Sequence, residues 1–163
     1  MTPAEVNALD RIAKMDSVDA LRQLRENAVG KSEVVRQAAL ERLIDVSSSA
    51  FDDPVARDCW RMVYTVEEIR RDFGRKVWRM NKLRPKIERD GERAALEYCA
   101  TNKTDGFQEV LDYGLAHFTA EAIVLQHPEA FSEDVRSKAA ARLAKAGVSI
   151  NSEKKVDAGS GPA

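Results

Sequence analysis

The sequence has little of what disulfide-stabilised, metal-binding and membrane proteins depend on. Its 163 residues include only two cysteines, two histidines, five prolines and eight glycines. Cys59 and Cys99 stand far apart among apolar neighbours, which favours buried free thiols over a disulfide or a reactive thiol. No segment approaches the roughly 18 apolar residues that span a bilayer, and no secretory leader is evident. We therefore expect a soluble, cytoplasmic protein without a membrane partner.

Motifs that carry catalytic chemistry are missing as well. The chain has no Gly-rich phosphate loop, no G-x-S-x-G and no H-E-x-x-H. His117 and Glu121 are close in sequence, but a helix start at Thr119 would separate them, and His127 before Pro128 is typical of a helix terminator. We accordingly expect no metal, no cofactor and no enzymatic activity.

The residue types and local signals that are abundant in this sequence favour α-helix. The chain is 44% hydrophobic and 33% charged, and it carries clear helix starts such as the capping box of Thr2, Pro3 and Glu5. No alternating runs flank a hairpin turn. We predict an all-α fold, an irregular bundle or short solenoid-like array of about eight to ten short helices. It should form a single helical domain over residues 1–148, with a possible sub-boundary near 47–53 and a disordered tail over 149–163.

The middle of the chain predicts three successive helical segments. Asp53 and Pro54 begin one, and a second capping box at Thr65 begins a short helix over Val66–Phe73 that ends at Gly74. The acidic pairs at 52–53 and 67–68 are typical of helix N-termini, where the helix dipole favours anions. The stretch 75–89 is helical in pattern, and Pro85 should kink or break it.

One pattern occurs twice. Residues 32–43 and 132–143 share S-E-x-V-R-x-x-A-x-x-R-L, which combines a serine cap, an acid in the first turn and an apolar stripe of Val, Ala and Leu. The copies lie at opposite ends of the chain, so a tandem array is not demonstrated. A well-capped helix in any helical protein would also look much like this.

The segment Ser17–Val46 resembles a HEAT-type helical hairpin. Its Leu-rich helix is followed by one carrying V-R-x-x-A-x-x-x-L, with the echo at 132–143 and an imperfect third beginning at 53–57. The resemblance implies a helical scaffold that binds another macromolecule.

A strongly basic segment stands out against a formal net charge of -1. Residues 69–89 carry nine cations against only Asp72 and Glu88; the cations are Arg70, Arg71, Arg75, Lys76, Arg79, Lys82, Arg84, Lys86 and Arg89. On a helical wheel, Arg75, Arg79, Lys82 and Lys86 fall within a sector of about 60°. Such a stripe can follow phosphates, and four phosphate contacts would give a slope of log K against log salt of roughly -3.6.

Three interpretations of this basic segment stay open. Residues 66–85 look like a helix-turn-helix around Gly74, although Arg70, Arg75 and Pro85 depart from that motif. The second interpretation is a phosphate-binding stripe that recognises the shape of a nucleic acid and not its base sequence. The third is a solvated surface or one that faces an acidic protein.

The sequence therefore predicts a non-catalytic helical binding protein. Its most direct interpretation is a nucleic-acid-associated regulator that contacts phosphates through Arg75, Arg79, Lys82 and Lys86, with Arg70 and Arg71 nearby. The alternative is a protein-interaction module or scaffold built on HEAT-like hairpins.

Overall fold

The computed structural model describes residues 1–149, and none of these residues lies in a β-strand. The predicted all-α fold of short helices is confirmed. The described residues form nine α-helices and two single-turn 3-10 helices: α1 Pro3–Ile12, α2 Val18–Ala28, α3 Glu33–Ser48, α4 Pro54–Asp72, α5 Leu83–Asp90, α6 Glu92–Thr101, α7 Asp105–Asp112, α8 Ala120–Gln126 and α9 Glu133–Lys145, with the 3-10 turns at Ala116–Phe118 and Pro128–Ala130.

The chain divides into two compact units. The first spans Met1–Asp52 and contains α1 to α3, and the second begins at Asp53 and contains α4 to α9. The division lies within residues 47–53, where the sequence suggested a sub-boundary. The predicted disordered tail lies outside the described residues, except for Ser149. Among the described helices, none combines the length and the apolar character that crossing a bilayer requires.

The first unit is held together by α3, which packs on both α1 and α2. The predicted capping box of α1 is confirmed: the Thr2 hydroxyl accepts the Glu5 N–H at 3.1 Å, and the Glu5 carboxylate accepts the Thr2 N–H at 2.9 Å. The same carboxylate accepts a 2.7 Å hydrogen bond from the Ser32 hydroxyl at the start of α3. These hydrogen bonds, first of all the one from Ser32, lower the pKa of Glu5.

The second unit has its own apolar core, built mainly from α4, α6, α8 and α9. Both cysteines are buried in this core and both are free thiols, as the sequence predicts. Burial in apolar surroundings raises the pKa of Cys59, and it raises the pKa of Cys99 to about 12. Neither sulfur is therefore a thiolate near neutral pH.

The two copies of the repeated pattern adopt the same local structure. The Ser32 hydroxyl accepts the N–H of residue 35 at 3.2 Å, and the Ser132 hydroxyl accepts the N–H of residue 135 at 3.3 Å. The Val, Ala and Leu positions of the pattern are buried in both copies; they are Val35, Ala39 and Leu43 in α3, and Val135, Ala139 and Leu143 in α9. The pattern thus specifies a serine-capped helix with one buried stripe.

The final arginine of the pattern also has the same role in both copies. Arg42 donates from Nε to the carbonyl oxygen of Met15, just after α1, at 2.9 Å. It also donates from Nη2 to the carboxylate of Asp16 at 2.8 Å. Arg142 donates from Nη1 to the carbonyl oxygens of Cys99 at 2.9 Å and Asn102 at 2.6 Å, at the end of α6. Arg142 thus satisfies carbonyls at the end of α6 that lack a helical partner, and Arg42 holds the chain that follows α1.

The structure corrects the predicted helix over Val66–Phe73, since α4 runs unbroken from Pro54 to Asp72. The Thr65 hydroxyl does not cap a new helix; it donates to the carbonyl oxygen of Arg61 at 2.6 Å. The apolar stripe continues through this point, so burial favours helix over a second start. The expectation that residues 67 and 68 lie at a helix N-terminus is therefore wrong, because both are buried inside α4. Asp53 does cap this helix, as predicted.

The structure also corrects the helix predicted over residues 75–89. Gly74, with φ of +66°, follows the end of α4, and the chain is not helical again until α5 begins at Leu83. Pro85 causes no kink, because it lies in the first turn of α5, where its missing N–H leaves no hydrogen bond unmade. The helical pattern of this stretch is overridden by contacts with the rest of the second unit.

The arginine at the end of the pattern gives a stability prediction. Arg142 Nη1 also lies 3.0 Å from a carboxylate oxygen of Glu121, a side chain that is 1% exposed. Burial raises the pKa of this carboxyl, and Arg142 opposes that effect. We expect Arg142→Ala to lower the free energy of unfolding by about 3 kcal/mol, because it leaves buried polar groups unpaired. Urea denaturation measures this change.

The control is Lys138→Ala on the same helix. Among the residues that the structure describes, Lys138 makes an exposed ion pair with Asp134 at 3.1 Å and no other, so its removal should change the stability by less than about 1 kcal/mol. Equal losses for the two variants would contradict the capping role of Arg142.

Candidate functional site

The strongest charge feature of the second unit is the segment between α4 and α5, residues 73–82, which we call the basic loop. Its sequence, F-G-R-K-V-W-R-M-N-K, contains four cations and no acid. Ten residues without regular structure normally carry high conformational entropy, so the contacts that hold such a loop decide what it can do.

A buried carboxylate anchors the basic loop to α4. Glu67 is 3% exposed, and its Oε2 accepts the backbone N–H of Met80 at 2.9 Å. The same carboxylate accepts two hydrogen bonds from Arg84 in α5, at 2.8 Å from Nε and 2.6 Å from Nη2. This bidentate pair raises the pKa of Arg84. Glu67 thus joins α4, the end of the basic loop and the first turn of α5.

Arg70, near the end of α4, forms a second bidentate pair, and its backbone carbonyl holds the start of the basic loop. Arg70 donates to the Glu109 carboxylate of α7, at 3.0 Å from Nε and 2.9 Å from Nη2. The backbone N–H of Arg75 donates to the carbonyl oxygen of Arg70 at 3.1 Å, which turns the chain after Gly74. Arg70 was predicted as a binding residue, but its side chain is 14% exposed and its guanidinium is engaged within the fold.

Arg71 is engaged as well. Its guanidinium carbon lies 3.5 Å from the centroid of the Trp78 ring, a cation–π contact that fixes the middle of the basic loop against α4. Trp78 is half-buried by this contact. Arg71 therefore positions the loop.

The cations of the basic loop itself, unlike Arg70 and Arg71 of α4, point to solvent. Lys76, Arg79 and Lys82 are exposed, and none of them makes an ion pair within the part of the chain that the structure describes. Arg75 is half exposed and makes only a long contact of 3.4 Å with Glu109. Four cations are thus presented from one anchored loop.

The predicted stripe of Arg75, Arg79, Lys82 and Lys86 is wrong as a helical face, because the first three lie in the non-helical loop and only Lys86 lies in α5. Lys86 pairs with Asp90 at 3.2 Å, and its ammonium lies 5.1 Å from the Tyr98 ring centroid. Lys76, which the helical wheel placed outside the stripe, is one of the exposed cations of the basic loop instead. The sequence signal that could have identified these exposed cations was the absence of any acid between residues 73 and 82.

The helix-turn-helix interpretation is also wrong. That motif needs a second helix after a turn of three or four residues, whereas here the chain after Gly74 stays non-helical until Leu83. No recognition helix follows the turn, so the basic segment does not present a helix to a DNA groove in the manner of this motif.

The two histidines belong to other elements than the basic loop. His117 is in a 3-10 turn, and the cap at Thr119 separates it from Glu121, as predicted. His127 ends α8, also as predicted, and its Nε2 lies 2.6 Å from a carboxylate oxygen of Asp58 in α4. Within residues 1–149, no group of three or more potential metal ligands comes together.

The anchor gives a prediction about the mobility of the basic loop. We expect Glu67→Ala to free the Met80 amide and to leave Arg84 unpaired, so that the Met80 amide exchanges at least about tenfold faster. The loss of one charge-assisted hydrogen bond alone corresponds to about 1.5 kcal/mol or more. Amide hydrogen exchange measures the effect.

The matched control is Glu88→Ala, which removes an exposed glutamate from α5. It should leave the exchange of the Met80 amide unchanged. A Met80 amide that exchanges equally fast in the native protein and in Glu67→Ala would show that Glu67 is not the anchor.

Comparison of the chain with protein-family models, curated proteins and solved structures gave no match. The features from which a function can be inferred are therefore those of the basic loop itself. They are its exposed cations, its anchored backbone and two exposed apolar side chains, Phe73 and Val77.

Proposed function

We propose that this protein is a non-catalytic, helical nucleic-acid-binding regulator that contacts phosphates through the basic loop. The observation that carries the proposal is the presentation of Arg75, Lys76, Arg79 and Lys82 to solvent from a segment without acids. Lysine and arginine side chains that neutralise phosphates release condensed counterions, and this release supplies most of the affinity for nucleic acid without regard to base sequence.

The near-neutral total charge does not oppose this proposal. The formal net charge of -1 averages the basic loop with acidic helical surfaces. Exposed charges farther apart than about 8 Å are largely screened at physiological ionic strength. A phosphate close to the basic loop therefore responds mainly to the local cations.

The anchors of the loop favour binding. An unanchored ten-residue segment would lose conformational entropy when it ordered on a ligand. Here the hydrogen bond from the Met80 N–H to Glu67 fixes the end of the basic loop, and the one from the Arg75 N–H to the Arg70 carbonyl oxygen fixes its start. The Arg71–Trp78 contact fixes its middle. Binding then costs mainly the ordering of four side chains.

A second candidate function is a protein-interaction scaffold. The supporting observation is that both copies of the repeated pattern form serine-capped helices with buried stripes and carbonyl-capping arginines. Regular helical hairpins of this kind are common in scaffolds that bind other macromolecules. In that case the basic loop would bind an acidic segment of a partner protein.

The proposal predicts a salt-dependent affinity that the loop cations control. With four phosphate contacts, log K for random duplex DNA should fall against log salt with a slope of roughly -3.6. Replacement of Arg75, Lys76, Arg79 and Lys82 by Gln should abolish measurable binding at 50 mM salt. Fluorescence anisotropy with labelled oligonucleotides measures both quantities.

A matched control removes the same number of charges elsewhere. Lys14, Lys31, Lys103 and Lys145 are exposed and lie outside the basic loop, so their replacement by Gln should leave the slope nearly unchanged. The nucleic-acid proposal fails if the native protein does not bind at low salt, or if both quadruple variants lose affinity equally. Stoichiometric capture by one acidic protein would then support the scaffold.

A further inference from the structure

Phe73 is an exposed aromatic side chain at the first position of the basic loop. It is 71% exposed, whereas the apolar side chains that form the core are nearly inaccessible. Its backbone N–H donates to the carbonyl oxygen of Ile69 at 3.2 Å, so its main chain forms the C-cap of α4. A large ring fixed at a helix end and left in water adds little to folding stability.

Within residues 1–149, the ring of Phe73 makes one aromatic contact, with Tyr113. Its centroid lies 6.3 Å from that of Tyr113, with an interplanar angle of 82°, an edge-on contact. The Tyr113 hydroxyl in turn donates a hydrogen bond to Asp72. The contact orients the Phe73 ring while most of its surface remains open.

Apolar and cationic side chains alternate along the basic loop after this ring. Val77 is 61% exposed, and it follows Arg75 and Lys76 directly in the chain. Trp78 comes next, with the Arg71 guanidinium against its ring. Exposed apolar groups interleaved with cations match a ligand that carries both anionic and flat apolar parts.

A single-stranded nucleic acid is such a ligand. In a duplex the flat faces of the bases are stacked inside, and grooves are read mainly by helices or β-ribbons, which the basic loop does not offer. In a single strand the base faces are free, and they stack on exposed aromatic rings while basic residues follow the backbone.

The acidic side chains near Phe73 limit the path that the phosphate backbone of a nucleic acid can take. Glu109 is engaged by Arg70 and Arg75, Asp72 accepts from Tyr113, and Asp112 accepts from a glutamine in α7. Residues 74–82 contain no acid of their own, and we therefore place the phosphate backbone along this part of the loop.

We propose that the basic loop binds single-stranded nucleic acid, with a base stacked on Phe73 and the phosphates along Lys76, Arg79 and Lys82. This inference rests on the proposed function of the basic loop and adds the ligand class to it.

The test compares Phe73→Ala with the native full-length protein on three probes. The probes are a labelled oligo-dT 12-mer, a duplex of the same length, and vesicles of phosphatidylcholine with phosphatidylserine. We expect the native protein to favour the single strand, and Phe73→Ala to weaken that binding about 10-fold while duplex binding stays within about twofold. Phe73→Trp should retain the native affinity, since it keeps a stacking ring.

Tyr98→Ala is the matched control, because Tyr98 is also an exposed aromatic, 48% accessible, but lies on α6. It should leave single-strand affinity unchanged, and thermal melting checks that both variants fold. Cation-dependent binding to both nucleic acids without any loss in Phe73→Ala would overturn this inference and leave the proposed function standing. Binding to the anionic vesicles alone would overturn both.

Discussion

The carboxylate of Glu67 is the group on which the arrangement of the basic loop depends. It is buried inside α4 and accepts hydrogen bonds from the Met80 amide and from Arg84. Burying a carboxylate is costly unless its oxygens are fully engaged, so the loop and the first turn of α5 must return to this point on α4. Glu67 is not available to the exposed cations of the basic loop, because its carboxylate already pairs with Arg84 of α5.

Hydrogen bonds from arginines also connect other helices of the second unit. Arg142 joins the end of α6 to α9 by donating to carbonyl oxygens that would otherwise lack partners, and Arg70 joins α4 to α7 through Glu109. Several arginines of this chain are therefore structural, and the sequence alone does not separate them from the exposed ones. The ligand contacts that we propose come from side chains that need no rearrangement of the helices, and anchored sites of this kind bind at lower entropic cost.

Local signals predicted the helices well and the basic segment poorly. Caps at Thr2, Ser32, Asp53 and Ser132 depend on contacts within one turn, so the sequence is sufficient to locate them. The segment 75–82 has a helical pattern, yet its conformation is set by Glu67, far back in the chain. Such a long-range pairing leaves no periodic signal, and for the same reason the engagement of Arg70 by Glu109 could not be read from the sequence.

The most direct test of the central claim, that the basic loop is the ligand-binding surface, is a two-dimensional NMR titration of the full chain with unlabelled oligo-dT. The account predicts that the largest amide shift changes map to residues 73–82, with only small changes in α9 and in Met1–Asp52. Large changes confined to the helices of the first unit, or no changes at low salt, would contradict it.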